Sequence, residues 1–154
     1  MTWAQPQAAL TDQIDSISVR AVKLRLRAGI SGFEVEPEMF GAKHVQMTGS
    51  AARELGVDGS RLLALQVADR GLEPLVFEDD WVVVDTADTV KRNREVYAVN
   101  WDGEAVIAQL LQRGGQWYLS FLHPDFEPIN VRSGQMNVVG RVVYQPGRLL
   151  TGRL

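Results

Sequence analysis

Val22, Leu24 and Leu26 alternate with Lys23, Arg25 and Arg27, a period of two that predicts a strand with one wet face, stopping at Ala28-Gly29. The stretch "TGSAARELGVDGS" (48–60) holds the best helical pattern. Thr48 or Ser50 can cap its first turn, Ala51, Ala52, Arg53, Glu54 and Leu55 favour helix, and Gly56 suits its C-terminal stop. Beyond it come six runs rich in apolar, β-branched or aromatic residues: "LLALQV", "DWVVVD", "EVYAVNW", "EAVIAQLLQR", "WYLSFL" and "NVVGRVVY". Gly, Asp, Asn and Pro clusters separate them, so the second half is predicted to be nearly all β. Asp102-Gly103 and Gly114-Gly115 sit between neighbouring runs and predict tight hairpins, whose turns need positive φ. Strands at such short spacing, without long helices between them, imply a mostly β fold. The predicted architecture is strongly bent antiparallel sheets or a small barrel with one short helix, rather than a parallel α/β sheet. Residues 1–16 are polar and small and read as a tail or linker stub, so a single domain is expected over 17–154.

Composition narrows the chemistry. A chain of 154 residues, 45% hydrophobic and 23% charged, is long enough to bury about two-thirds of its unfolded surface in one core. Its net charge of −3 offers no global attraction for nucleic acid, and direct nucleic-acid binding is not expected. There are no cysteines, which excludes disulfides, thiolate catalysis and Cys-based zinc sites. His44 and His123 stand far apart with no ligand spacing, so no metal is expected. The first residues lack a signal-peptide pattern and no apolar run is long enough to span a bilayer, making a cytoplasmic, non-membrane protein the expectation.

The order of landmarks from about Ile17 to Tyr144 resembles the C-terminal, self-cleaving Ser-Lys peptidase domain of LexA-type and phage cI-type repressors. That pattern runs from an Ala-Gly cleavage pair through a nucleophile turn of the form G-D-S-M-x-P, a G-D-x-V strand, a hairpin leading to lysine and an S-x-N-P-like turn to a closing G-x-V strand. Ala28-Gly29 stands at the cleavage pair, "DRGLEP" (69–74) at the nucleophile turn and "DDWVVVD" (79–85) at the strand after it. "YAVNWDGEAVIAQLL" (97–111) stands at the lysine hairpin, and "SFLHPDFEPI" (120–129) and "VVGRVV" (138–143) complete the order.

Under this overlay Gly71 replaces the serine and Ala108 the lysine, while Asp69, Arg70, Leu72 and Asp79 replace the expected glycine, aspartate, methionine and glycine. A serine hydroxyl becomes an effective nucleophile when a neighbouring base takes its proton, and lysine can be that base only as a desolvated neutral amine. Gly71 has no hydroxyl and Ala108 no amine. The resemblance therefore implies a degenerate peptidase, with no self-cleavage at Ala28-Gly29. The turn remains as scaffold: Gly71 is expected to permit an awkward backbone, Leu72 to fill an apolar hole and Pro74 to fix φ, with Asp69, Arg70 and Glu73 completing it.

In that family the domain dimerises so that paired helix-turn-helix domains grip DNA, and the closing strand contributes to the interface. This implies a homodimer with Val138, Val139, Arg141 and Val143 as interface candidates, no cofactor, and either a DNA-binding domain outside this chain or a protein that acts without one. A domain of this kind would resist the DNA-damage (SOS) signal that triggers self-cleavage in active relatives. Two rivals stand beside this reading: a peptide- or ligand-binding module using the vacated cleft, and an autopeptidase with an unorthodox nucleophile. Ser120 and Ser133 have no base at a motif spacing. Arg20, Lys23, Arg25 and Arg27 read first as a solvated strand face, "KRNR" (91–94) as a charged loop, and Glu78, Asp79, Asp80, Asp85 and Asp88 as turn solvation. Trp81, Trp101 and Trp117 are expected to pack in or beside the core.

Overall fold

A computed structural model describes residues 16–38, 43–57, 59–146 and 148–150. Most of the expected tail, 1–15, and residues 151–154 of the expected domain lie outside the described residues. The strands are β1 (Ile17–Arg20), β2 (Val22–Arg25), β3 (Glu34–Pro37), β4 (His44–Met47), β5 (Leu62–Gln66) and β6 (Trp81–Asp85). They continue with β7 (Val96–Trp101), β8 (Glu104–Arg113), β9 (Gln116–Ser120), β10 (Ile129–Asn130), β11 (Met136–Gln145) and β12 (Arg148–Leu149). The helix α1 (Gly49–Leu55) lies between β4 and β5. The protein is mostly β, as the alternation predicts.

Seven strands form one antiparallel path in the order β10-β9-β8-β7-β11-β6-β5, with β12 added to β11 as the eighth member of the sheet. This sheet is open, so the barrel alternative is not realised. Two separate ribbons, β1-β4 and β2-β3, flank it. The strand predicted from the alternation at 22–27 is β2, and β1 precedes it in the other ribbon. Chain continuity breaks at Ala21, which makes a parallel bridge to Ala64. Its N–H goes to Lys43 and its carbonyl accepts from Glu38. With the backbone of Ala21 used in this way, β1 and β2 take different partners.

Local chemistry explains the turns. Thr48, not Ser50, caps α1: its hydroxyl accepts from the Ala51 N–H at 3.2 Å. Gly56 ends the helix with φ 69°, donating its N–H to Ala52 and Arg53 carbonyls. At the β7-β8 hairpin Asp102 and Gly103 have φ of 50° and 93°, the positive pair that a two-residue type I′ turn demands.

The core has three neighbouring parts. Val22, Leu63, Leu65, Val67, Leu72, Val76, Val82, Val84, Ala98 and Val142 fill one, and Val19, Val45, Met47, Ala64, Val83 and Val143 another. Tyr97, Val99, Ala108, Leu110 and Leu119 form the third, against which Trp101, Trp117 and Phe121 pack. Trp81 lies against the second, so Trp81, Trp101 and Trp117 all sit beside the core as expected. Strand β11 bends through irregularities at Val138/Gly140 and Val142/Tyr144, as bulges do. Gly140 is obligatory there because a Cβ would run into the backbone carbonyl of Asp85.

Candidate functional site

The turn from 67 to 80 leaves the sheet through a closed backbone pair: Val67 N–H to Asp80 O and Asp79 N–H to Val67 O, both 2.8 Å. Within it, Asp69 Oδ1 accepts from the Gly71 N–H at 2.8 Å, the self-capping that short acidic side chains give a turn. Arg70 Nε pairs with Glu73 at 2.6 Å, and that carboxylate holds the Arg70 proton more tightly than an ordinary arginine's. The Glu73-Pro74 peptide is cis. Leu72 is 2% exposed and packs in the first core part, as expected of a residue filling an apolar hole. At the far end Asp79 adopts φ 72°, the left-handed conformation for which the family pattern has glycine. Asp80 Oδ2 accepts from Phe77 N–H and from Gln145 Nε2.

Gly71 corrects one expectation. Its φ is not among the positive values, so the backbone there is open to any residue. The constraint is space. A Cβ at position 71 would lie 2.8 Å from Phe121 Cδ1 and 3.0 Å from Asp69 Oδ1, closer than carbon tolerates. The Gly71 carbonyl accepts from the His123 N–H at 2.9 Å. Ala108 is fully buried on β8 opposite Tyr97, in the core part against which Phe121 also packs. Phe121 is therefore common to the surroundings of both positions.

Ala28-Gly29 lies elsewhere. Strand β2 ends at Arg25, and residues 27–30 form a turn closed by Ile30 N–H to Arg27 O at 3.2 Å. Asn100, 1% exposed on β7, donates its amide to the Arg27 carbonyl at 2.8 Å and to that of Ile30 at 3.3 Å. Its Oδ1 accepts from Gly103 N–H at 2.8 Å. The turn thus rests on the tip of the β7-β8 hairpin, where a Cβ on Gly103 would approach Ala28 N to 3.3 Å and one on Gly29 would strike Gln135 at 2.5 Å. From Gly103 to Ala108 is about 16 Å of strand at the usual rise. The Ala28-Gly29 pair is held at the hairpin tip and not beside Ala108.

A groove of about 310 Å³ runs between β2, the entry to the turn and β8. Val22, Leu24, Leu65, Val67, Ala105 and Ile107 make its apolar lining, and Lys23, Glu38, Asp69 and Asp79 its polar one.

The proposed interface residues divide. Val139 and Val143 are buried in the core at 3% and 1% exposure, which removes their side chains from any surface. Arg141 pairs with Asp88 at 3.0 Å and Glu95 at 3.5 Å. Val138 is partly buried against the third core part. In the acidic set Glu78 and Asp79 are exposed, as turn solvation predicts, whereas Asp80, Asp85 and Asp88 are bonded within the fold. Asp85 is 2% exposed and bonds Arg61 at 2.7 Å, while Asp88 holds Arg92 at 2.8 Å. No three metal-ligating side chains converge among the described residues. Arg20, Lys23, Arg25 and Arg27 are exposed, with Arg25 3.1 Å from Glu36 and Lys23 3.8 Å from Glu38. Ser133 Oγ donates to the Asn130 carbonyl at 2.7 Å.

Phe121, His123 and Asn100 did not emerge from the sequence. The signal available for Asn100 was a lone amide inside the apolar run "VYAVNW"; Phe121 and His123 had none, since both act across the fold.

An open bent sheet, an irregular turn latched at its base, a buried hairpin strand and a held Ala-Gly loop together make a peptidase-like framework. The Peptidase S24-like family profile matches residues 22–143, and the chain belongs to this family. Over 91 residues it is 36% identical to a LexA repressor of Mycolicibacterium paratuberculosis, covering 59% of this chain and 38% of that protein. A LexA repressor of Mycobacterium tuberculosis is 34% identical over 91 residues, 59% of this chain and 37% of the relative. The HTH-type transcriptional regulator PrtR of Pseudomonas aeruginosa is 28% identical over 149 residues, 92% of this chain and 57% of the relative. The chain thus spans 57% or less of the length of these relatives. No helix among the described residues is long and apolar enough to cross a membrane.

Proposed function

We propose that this chain is a non-catalytic regulatory domain of the LexA and PrtR type, working in transcription regulation by self-association and protein contact. The observation that carries this reading is the pair Gly71 and Ala108, which the resemblance aligns with the nucleophile and its base, within the Peptidase S24-like match over 22–143. General base catalysis contributes about 10²- to 10⁴-fold, and members of a catalytic unit fail together, so no useful peptide cleavage remains without either group. The domain acts in the cytoplasm as a homodimer, pairing any helix-turn-helix domain to which it is joined.

Two measurements test it. Intact mass after prolonged incubation at raised pH should show no fragment ending at Ala28, and sedimentation at tens of micromolar should show a dimer. Cleavage at that bond overturns the non-catalytic reading, and a monomer at that concentration overturns self-association.

A second reading has the apolar groove beside β2 in its favour: an extended peptide could add to the strands there by backbone hydrogen bonds, with side chains in alternate pockets. A reproducible ligand in a thermal-shift screen, lost on Ile107→Arg, supports it.

A further inference from the structure

We propose that Phe121 is a plug for the nucleophile position, so that the site is closed by a side chain as well as emptied of its chemistry. This rests on the non-catalytic reading above and goes beyond it, because it assigns a role to a residue outside the degenerate pair.

The ring stands where a side chain at position 71 would go, with Cδ1 2.8 Å and Cε1 3.4 Å from the point a Cβ would occupy. It is braced from several directions. Phe121 packs toward the core part of Ala108, while its neighbour Leu122 packs toward that of Leu72, the alternation of an extended segment straddling two faces. Phe126 sits 5.6 Å away, tilted at 42°, and His123 meets Phe126 edge-on at 5.6 Å. His123 Nδ1 accepts from Asp125 N–H at 3.1 Å and its carbonyl accepts from Phe126 N–H at 3.1 Å, so the loop holds its own shape. The His123 N–H fastens that loop to the Gly71 carbonyl. The ring is partly buried, with Phe126 and the third core part as its neighbours. A serine placed at 71 would therefore meet Phe121.

The absence of cysteine from the sequence makes the test clean. Gly71→Cys introduces a single thiol whose reaction with a small disulfide reagent reports access to that point. It should react at least tenfold faster in a Gly71→Cys/Phe121→Ala background than with Phe121 present; a ratio below twofold overturns the plug. A melting cycle guards against a variant that merely loosens the fold. Gly71→Ala should lower Tm in the native background, and that loss should at least halve when Phe121 is Ala. Equal losses in both backgrounds would show that the ring is not the obstacle. Neither readout depends on peptidase activity, so self-cleavage by the unmodified protein would sink the non-catalytic reading and leave the plug to be judged by these two measurements.

Discussion

Asn100 is 1% exposed in the middle of an apolar strand, and its amide reaches 73 positions back along the chain to Arg27. A buried amide of this kind is tolerated because its donors and acceptor are matched, here by two carbonyls and the Gly103 N–H. Asn100→Ala would strand those groups at a cost of about 1–3 kcal/mol and free the 27–30 turn. Trypsin should then cut after Arg25 or Arg27 several-fold faster than in the native protein. Tyr97 behaves similarly. Its hydroxyl donates to the Val90 carbonyl at 2.7 Å and accepts from Arg92 N–H at 2.9 Å, and burial raises its pKa. The folded value lies above the unfolded one, so the contribution is complete below the ordinary tyrosine pKa of about 10 and is lost as pH climbs through the folded value. Thermal melts should show an alkaline fall in stability that is shallower for Tyr97→Phe, which is itself less stable at neutral pH. These long-range matches were invisible in the sequence, whereas Gly71 and Ala108 stood out because the motif around them fixes their positions.

At the level of elements, local chemistry was legible and pairing was not. Thr48 and Gly56 bound α1 as capping rules require, and Thr48→Ala should cost about 1 kcal/mol, read as a lower Tm. The six long apolar runs all became strands, but β3, β4, β10 and β12 have four residues or fewer and too little pattern to be seen. β1 and β2 part at Ala21, where the apolar alternation changes phase from Ile17, Val19 and Ala21 to Val22, Leu24 and Leu26, and the bridge to Ala64 marks the same point. The interface candidates on β11 show the same gap. Their apolar character was plain, yet Val139 and Val143 face inward, packed in the first and second core parts. Gly140 on that strand has no room for a methyl group. Gly140→Ala should lose about 3 kcal/mol or more by overpacking, measurable in urea unfolding.

For the molecule as a whole, mostly β architecture and the order of landmarks were readable because turn residues punctuate the chain at every strand end. Openness was not readable, since the same strands could have closed. That openness bears on how two copies would meet. On one side the sheet finishes in β10, two residues long, and on the other in β5, beside which the Ala21 bridge already lies. Neither margin offers a long unpaired ladder for a second chain to extend. Association between copies is therefore expected to be a meeting of side-chain surfaces, reversible by dilution and sensitive to single surface substitutions, and not a strand-by-strand zippering that could run on into filaments.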